Sequence, residues 1–191
     1  MDQTYGPVVA TNALAWYDNA FPKPDVHNAP SSPWSVPANW EVTAVIYGPL
    51  GGKTTIYRNK ELNQVMIVPM GTKGTGDWAG WASNITSYGE SQWDDADTQQ
   101  KVFAAADAAI RSVNQPSNAK LIIAGDSKGG ALAQFITATL LQDDQNLNLS
   151  YGIDFDKLNN LKAIPQSNIA VIGRVAPGVQ NQLNSTVNNS P

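Results

Sequence analysis

The residues of this chain best suited to chemistry lie in the sequence GDSKG, where Ser127 stands between Gly125 and Gly129. A G-x-S-x-G pattern between a buried strand and a helix is typical of a nucleophile elbow, a sharp turn that exposes a serine hydroxyl. Glycine is needed two residues before and two residues after the serine, because side chains there would collide with the strand and the helix. The other interpretation is a glycine-rich strand-to-helix turn that has no chemistry or that binds a phosphate group.

A second sequence, MGTKGTGDW, bears on the same chemistry, because it follows another apolar run and contains Thr72. Acyl transfer by a serine needs an oxyanion hole. An α/β-hydrolase takes one donor from the amide after the nucleophile and one from the loop after its third strand. In this chain those donors are the amides of Lys128 and Thr72, and the Thr72 hydroxyl is placed to assist.

Four blocks, taken in order, resemble the class 3 (fungal-type) lipases of the α/β-hydrolase superfamily. The blocks of that family read R-G-T, D-W-x-x-N-L, G-H-S-L-G-G-A-L-A and F-G-x-P-R-V-G-N. The corresponding blocks here begin at Met70, Asp77, Gly125 and Ile172, and the serine block is the most specific of the four. The resemblance covers residues 40–181 and implies a serine hydrolase that cleaves carboxylic esters, acylglycerols or related lipids, without a cofactor or a metal.

The resemblance also assigns roles to residues. It implies that Ser127 is the nucleophile and that Thr72 and Lys128 form the oxyanion hole. Three residues depart from the family pattern: Met70 replaces arginine, Asp126 replaces histidine and Lys128 replaces leucine. Lys128 still contributes its backbone amide, and we expect its ammonium group to point to solvent rather than to select an anionic substrate.

In the class 3 lipases the segment after the G-T pair forms a lid over the active site. The equivalent here is Gly74–Asn84, in which Trp78 and Trp81 offer apolar faces that could contact lipid substrate. Simple packing of the two tryptophans against the protein is the competing interpretation.

A serine hydroxyl is a weak nucleophile until a base takes its proton, and in this fold the acid and the histidine follow the serine along the chain. The single histidine, His27, precedes Ser127. The acids after Ser127 all precede the next predicted strand: Asp143, Asp144, Asp154 and Asp156. We therefore expect the triad aspartate and histidine to be missing from this chain.

Three interpretations of the missing partners stay open. The chain is a fragment of a longer hydrolase, or it is a naturally short, catalytically inactive lipase-like module that binds an apolar ligand or a protein. In the third interpretation, His27 or Lys128 acts as a substitute base. A sheet without its last strands has an open edge, which predicts self-association or a partner chain that completes the sheet.

Composition narrows the class of protein further. The net charge of −4 gives no basic surface for nucleic acid, and the absence of cysteine excludes disulfides and thiolate metal sites. No ligand spacing predicts a metal or a cofactor. No apolar run is long enough to cross a bilayer, and no signal peptide is visible at the N-terminus. The cellular location is left open between a soluble cytoplasmic protein and a processed, secreted one.

The elements that must position these residues alternate between strands and helices. An antiparallel hairpin is predicted at Trp40–Gly48 and Thr54–Arg58, because both segments are rich in β-branched residues and a glycine-containing turn joins them. Three continuous apolar runs predict strands buried on both faces: Gln64–Gly71, Lys120–Gly125 and Asn168–Gly178.

Amphipathic stretches between these strands predict helices, one capped by Asp97 and one that begins just after Ser127. The order predicts an α/β-hydrolase-like three-layer sandwich: a mostly parallel sheet with an N-terminal hairpin, helices on both faces and the last strands missing. We divide the chain into an N-terminal helix and Pro-rich segment (1–39), the lipase-like core (40–181) and a polar tail (182–191).

Overall fold

The computed structural model describes residues 39–71, 90–126, 128–141 and 153–174. The strands are β1 (Glu41–Tyr47), β2 (Lys53–Asn59), β3 (Gln64–Pro69), β4 (Lys120–Asp126) and β5 (Ile169–Arg174). The α-helices are α1 (Glu90–Trp93), α2 (Ala96–Arg111), α3 (Lys128–Leu141) and α4 (Asn159–Lys162). The predicted N-terminal helix at 11–21 and the polar tail lie outside the described residues.

The described strands form one sheet in the order β1-β2-β3-β4-β5. Strand β2 is antiparallel to both of its neighbours, whereas β3, β4 and β5 pair in parallel. All the described strands except β2 therefore point the same way, which confirms a mostly parallel sheet that begins with a hairpin. Ile67 lies opposite Ile123 and Asp126 lies opposite Arg174. The strand ends therefore meet at one edge, which we call the carboxyl edge.

The centre of the sheet is buried on both faces. Leu121 and Ile123 of β4 belong to the larger apolar cluster, and Ile122 and Ala124 belong to a smaller cluster on the opposite face. None of these four side chains is more than 1% exposed. This burial confirms that β4 lies in the inner layer of an α/β sandwich, as its unbroken apolar run predicts.

Helices α2 and α3 both pack on the larger cluster, which contains Phe103 of α2 and Ile136 of α3. The crossovers from β3 to β4 and from β4 to β5 move across the sheet in the same direction. Right-handed crossovers that advance in one direction place their helices on the same face. Helices α2 and α3 therefore form one layer on the same face of the sheet.

Helix α2 begins two residues earlier than the sequence pattern predicts. Asp95, rather than Asp97, is the N-cap: its carboxylate accepts hydrogen bonds from the Thr98 amide at 2.8 Å and from the Thr98 hydroxyl at 2.5 Å. Asp97 instead forms an exposed ion pair with Lys101 one turn along the helix. Among the helices described, none has the length and apolar character needed to cross a membrane.

Candidate active site

The candidate nucleophile belongs to the short connection between β4 and α3. Strand β4 ends at Asp126 and helix α3 begins at Lys128, so a single residue separates strand from helix. Ser127 itself lies outside the described residues. This connection is at the carboxyl edge, where open α/β sheets place their ligands, and it agrees with the predicted start of the helix.

Position 125 has no room for any residue larger than glycine, because helix α3 packs directly against the end of β4 there. A β-carbon at Gly125 would lie 2.0 Å from the carbonyl oxygen of Gly129 and 2.7 Å from the amide nitrogen of Gly130. Both atoms belong to the backbone of α3, so no side-chain rearrangement could relieve the contact. Gly125 does not have a positive φ. The glycine is required by lack of space, which is the steric condition that the G-x-S-x-G pattern predicts.

Gly129 brings a second loop into contact with the same turn. A β-carbon there would lie 2.5 Å from the Pro69 carbonyl oxygen and 3.0 Å from the Gly71 amide nitrogen. The first turn of α3 therefore packs directly on the backbone that leaves β3. Thr72 is the next residue along the chain, and it lies outside the described residues. The described contact with Gly129 thus reaches Gly71, the residue before the predicted oxyanion donor Thr72.

The side chain of Lys128 does not point to solvent as expected. The residue is only 2% exposed, although it carries an ammonium group in the first turn of α3. A charged group is costly to remove from water unless it is paired. Position 128 is thus a buried position, filled by a lysine that begins helix α3.

Trp93 anchors α1 against α3, the helix that follows the candidate nucleophile, and this contact was not predicted from the sequence. The indole Nε1–H of Trp93 donates to Thr139 Oγ1 on α3 at 2.8 Å, and the Trp93 ring meets the edge of Phe103 on α2. The side-chain amide of Gln99 donates to the Trp93 carbonyl at 2.6 Å. The sequence feature that could have indicated this contact is Trp93 itself, which lies two residues before the capping Asp95.

A small cavity lies beside this anchor, at the carboxyl edge. Trp93 and Gln92 of α1 line it together with Pro69 of β3, Leu132 of α3 and residues of the β1–β2 hairpin, and its volume is about 10 Å³. That volume accommodates about one water molecule, so this cavity is too small to bind an ester substrate.

The two described acids that follow Ser127 are engaged in surface ion pairs. Asp154 contacts Lys157 at 2.7 Å, and the hydrogen bond from Lys157 holds the pKa of Asp154 below its ordinary value. The carboxylate of Asp156 is 94% exposed and lies 3.7 Å from the Lys162 ammonium. Both carboxylates belong to the connection between β4 and β5, as expected for acids that do not orient a catalytic histidine.

The remaining predicted site residues, Trp78, Trp81 and His27, fall outside the described residues, as do Asp143 and Asp144. Within the parts of the chain that the structure describes, no group of three or more His, Cys, Asp or Glu side chains could hold a metal ion.

The fold is similar to that of solved fungal lipases. A triacylglyceride lipase of Rhizomucor miehei superposes with a TM-score of 0.54 at 14% identity, over 93% of this chain and 68% of that chain. A lipase propeptide complex from the same organism gives a TM-score of 0.52 at 15% identity, over 93% of this chain and 57% of that chain. No family model and no curated protein matches the chain. At these identities the likeness establishes an α/β-hydrolase-like fold, and the chain spans little more than half of the propeptide-complex lipase.

Proposed function

We propose that this chain is a serine-hydrolase domain that acts on carboxylic esters of lipids through Ser127. The serine oxygen attacks the acyl carbonyl and the alcohol of the ester leaves, after which water releases the acyl group as a carboxylic acid. The amides of Thr72 and Lys128 stabilise the negative charge that develops on the carbonyl oxygen. Trp78 and Trp81 provide apolar surface for the acyl chain in the segment that follows Thr72.

The observation that supports this proposal most strongly is the close approach of three backbone segments at the carboxyl edge. Gly125 of β4 leaves no room for a side chain beside Gly129, and Gly129 leaves none beside the backbone at Pro69 and Gly71. A plain strand-to-helix turn has no need for both contacts. An oxyanion hole needs both, because its two donors come from residues adjacent to these two segments.

The proton of the serine hydroxyl needs an acceptor, and no histidine follows Ser127 in this sequence. A weakly activated serine reacts slowly with ester substrates, but an irreversible phosphonylating reagent accumulates product over hours. In that reaction the serine oxygen forms a bond to phosphorus, fluoride leaves and water takes up the hydroxyl proton, so labelling detects an activated nucleophile independently of ester turnover.

A fluorophosphonate probe therefore tests the proposal. We expect labelling of the unmodified chain and none of S127A. The control is S167A, which removes an exposed hydroxyl in the turn before β5 and should label like the unmodified chain. Peptide mass spectrometry should place the adduct on Ser127. A folded protein that does not label would contradict the proposal.

The alternative function is that of a catalytically inactive lipase-like module that binds an apolar ligand or a protein. The single histidine of this sequence, His27, precedes Ser127, which is the reverse of the order in which this fold supplies its general base. An unlabelled protein that still binds a fluorescent fatty-acid analogue, with affinity lowered by W78A or W81A, would support the module.

A further inference from the structure

The turn between β1 and β2 presents two apolar side chains at the carboxyl edge. Strand β1 runs in the same direction as β3, so its last residue, Tyr47, lies at the edge to which Ser127 belongs. Tyr47 is 74% exposed and Leu50, in the turn, is 46% exposed. Isolated exposed apolar residues are common on soluble proteins, so exposure alone does not identify a binding surface.

The backbone of Leu50 is the unusual feature. Leu50 has φ 53° and ψ 33°, Gly51 has φ 72°, and the Gly52 amide donates to the Pro49 carbonyl at 2.9 Å. Positive φ at both central residues is the geometry of a type I′ turn, for which Asn-Gly is strongly preferred. A leucine is sterically strained in this left-handed conformation. Packing of Leu50 offsets little of that cost, because about half of the residue is exposed to solvent.

The rest of the described chain follows the usual preference. Its other non-glycine residues with positive φ are Asn39 and Asn63, both of the residue type that tolerates this conformation. Leucine is therefore the exception at position 50. An observed backbone strain without a packing gain is grounds for a functional hypothesis.

The turn is held rigidly, so the leucine is displayed in a fixed position. The Gly48 amide donates to the Gly52 carbonyl at 2.9 Å, and the side-chain amide of Gln92 on α1 donates to the Leu50 carbonyl at 2.9 Å. Gln92 is itself buried. The tip of the hairpin is thus tied to the helix that also lies at the carboxyl edge, and binding through Leu50 would cost little ordering of the backbone.

We propose that Tyr47 and Leu50 form a contact that inserts into the surface of a zwitterionic lipid aggregate. A convex turn with a leucine at its tip suits a soft apolar interface, and tyrosine favours the boundary between headgroups and acyl chains. The net charge of −4 disfavours attraction to anionic lipid, so the contact is apolar. The inference rests on the proposed function, because a lipid esterase needs the reacting serine and the lipid surface on the same side.

The test measures binding of the full chain to vesicles of ether-linked phosphatidylcholine, which has no ester to cleave. We expect L50N to lower the partition coefficient by about tenfold, as for removal of one inserted leucine, and Y47S with L50N to lower it further. L50N should at the same time raise Tm by about 3 °C, because it creates the preferred Asn-Gly turn. The control L62N removes a leucine that is 54% exposed at the opposite edge of the sheet and should leave partitioning unchanged.

Equal loss of binding in L50N and L62N would overturn the proposal, as would unchanged binding in L50N. A change in oligomeric state in L50N without a change in vesicle binding would identify the turn as a contact between protein chains instead. The same measurement on S127A separates the two proposals. Vesicle binding of S127A should equal that of the unmodified chain, whether or not the serine is labelled by the phosphonate.

Discussion

Replacement of Gly125 by alanine tests the geometry on which the proposed nucleophile depends. Ordinarily such a change in a strand stabilises a protein by roughly 0.5–1 kcal/mol, because glycine has more backbone freedom to lose on folding. Here the new β-carbon would meet the Gly129 carbonyl oxygen at 2.0 Å and the Gly129 carbonyl carbon at 2.2 Å. Overpacked cores lose about 1–3 kcal/mol when side chains can adjust, and this contact involves backbone only.

We therefore expect G125A to lower the free energy of unfolding by about 3 kcal/mol or more, which is a large part of the stability of an ordinary domain. The sign of the change in the free energy of unfolding distinguishes a crowded position from an uncrowded one, since alanine at an uncrowded strand position would raise the free energy of unfolding. Urea unfolding, followed by tryptophan fluorescence and by far-UV circular dichroism, measures the loss and shows whether the transition stays two-state.

The matched control is G51A, in the turn between β1 and β2. No atom lies within 4 Å of a β-carbon at Gly51, but its φ of 72° is unfavourable for alanine. G51A should therefore lose only about 1 kcal/mol. If G125A were as stable as the unmodified protein, α3 could not pack against the end of β4 as described, and the argument for an elbow at Ser127 would fail.

Two further predictions concern the scaffold. The buried carboxylate of Asp107 accepts hydrogen bonds from the amides of Asn160 and Leu161 at 2.8 and 2.9 Å, so D107A should cost about 3 kcal/mol in urea unfolding and D107N clearly less. Hydrogen bonds from Thr98 hold the pKa of Asp95 below its ordinary value. That stabilisation is complete above about pH 4 and is lost as the pH falls through the folded-state pKa, so Tm should fall on acidification less steeply in D95N than in the unmodified protein.

The strands were the most predictable elements, for a simple reason. The runs that became β3 and β4 are apolar at nearly every position, and such a run of six or seven residues is stable only when both faces are covered. The stripe that contains Val102, Phe103 and Ile110 likewise predicted α2, and all three side chains are fully buried.

The ends of elements were less predictable. Asp95 and Asp97 both precede residues that could complete a cap, and the sequence pattern favoured Asp97 because Gln100 follows three residues later. The choice of Asp95 depends on Trp93, whose carbonyl binds Gln99 and whose ring is held by Thr139. Contacts with another helix therefore decided where α2 begins.

The linear order of glycines and serine is local information, and it was enough to predict a strand that turns into a helix at position 127. The closeness of Gly129 to Met70 and Gly71 was suggested by the resemblance alone, since the sequence does not give the distance between two loops. That distance comes from the parallel register of β3 and β4, which aligns the two strand ends. The burial of Lys128 and the left-handed backbone of Leu50 were likewise decided by packing and turn closure, because both oppose the intrinsic preference of the residue and persist only when surrounding contacts impose them.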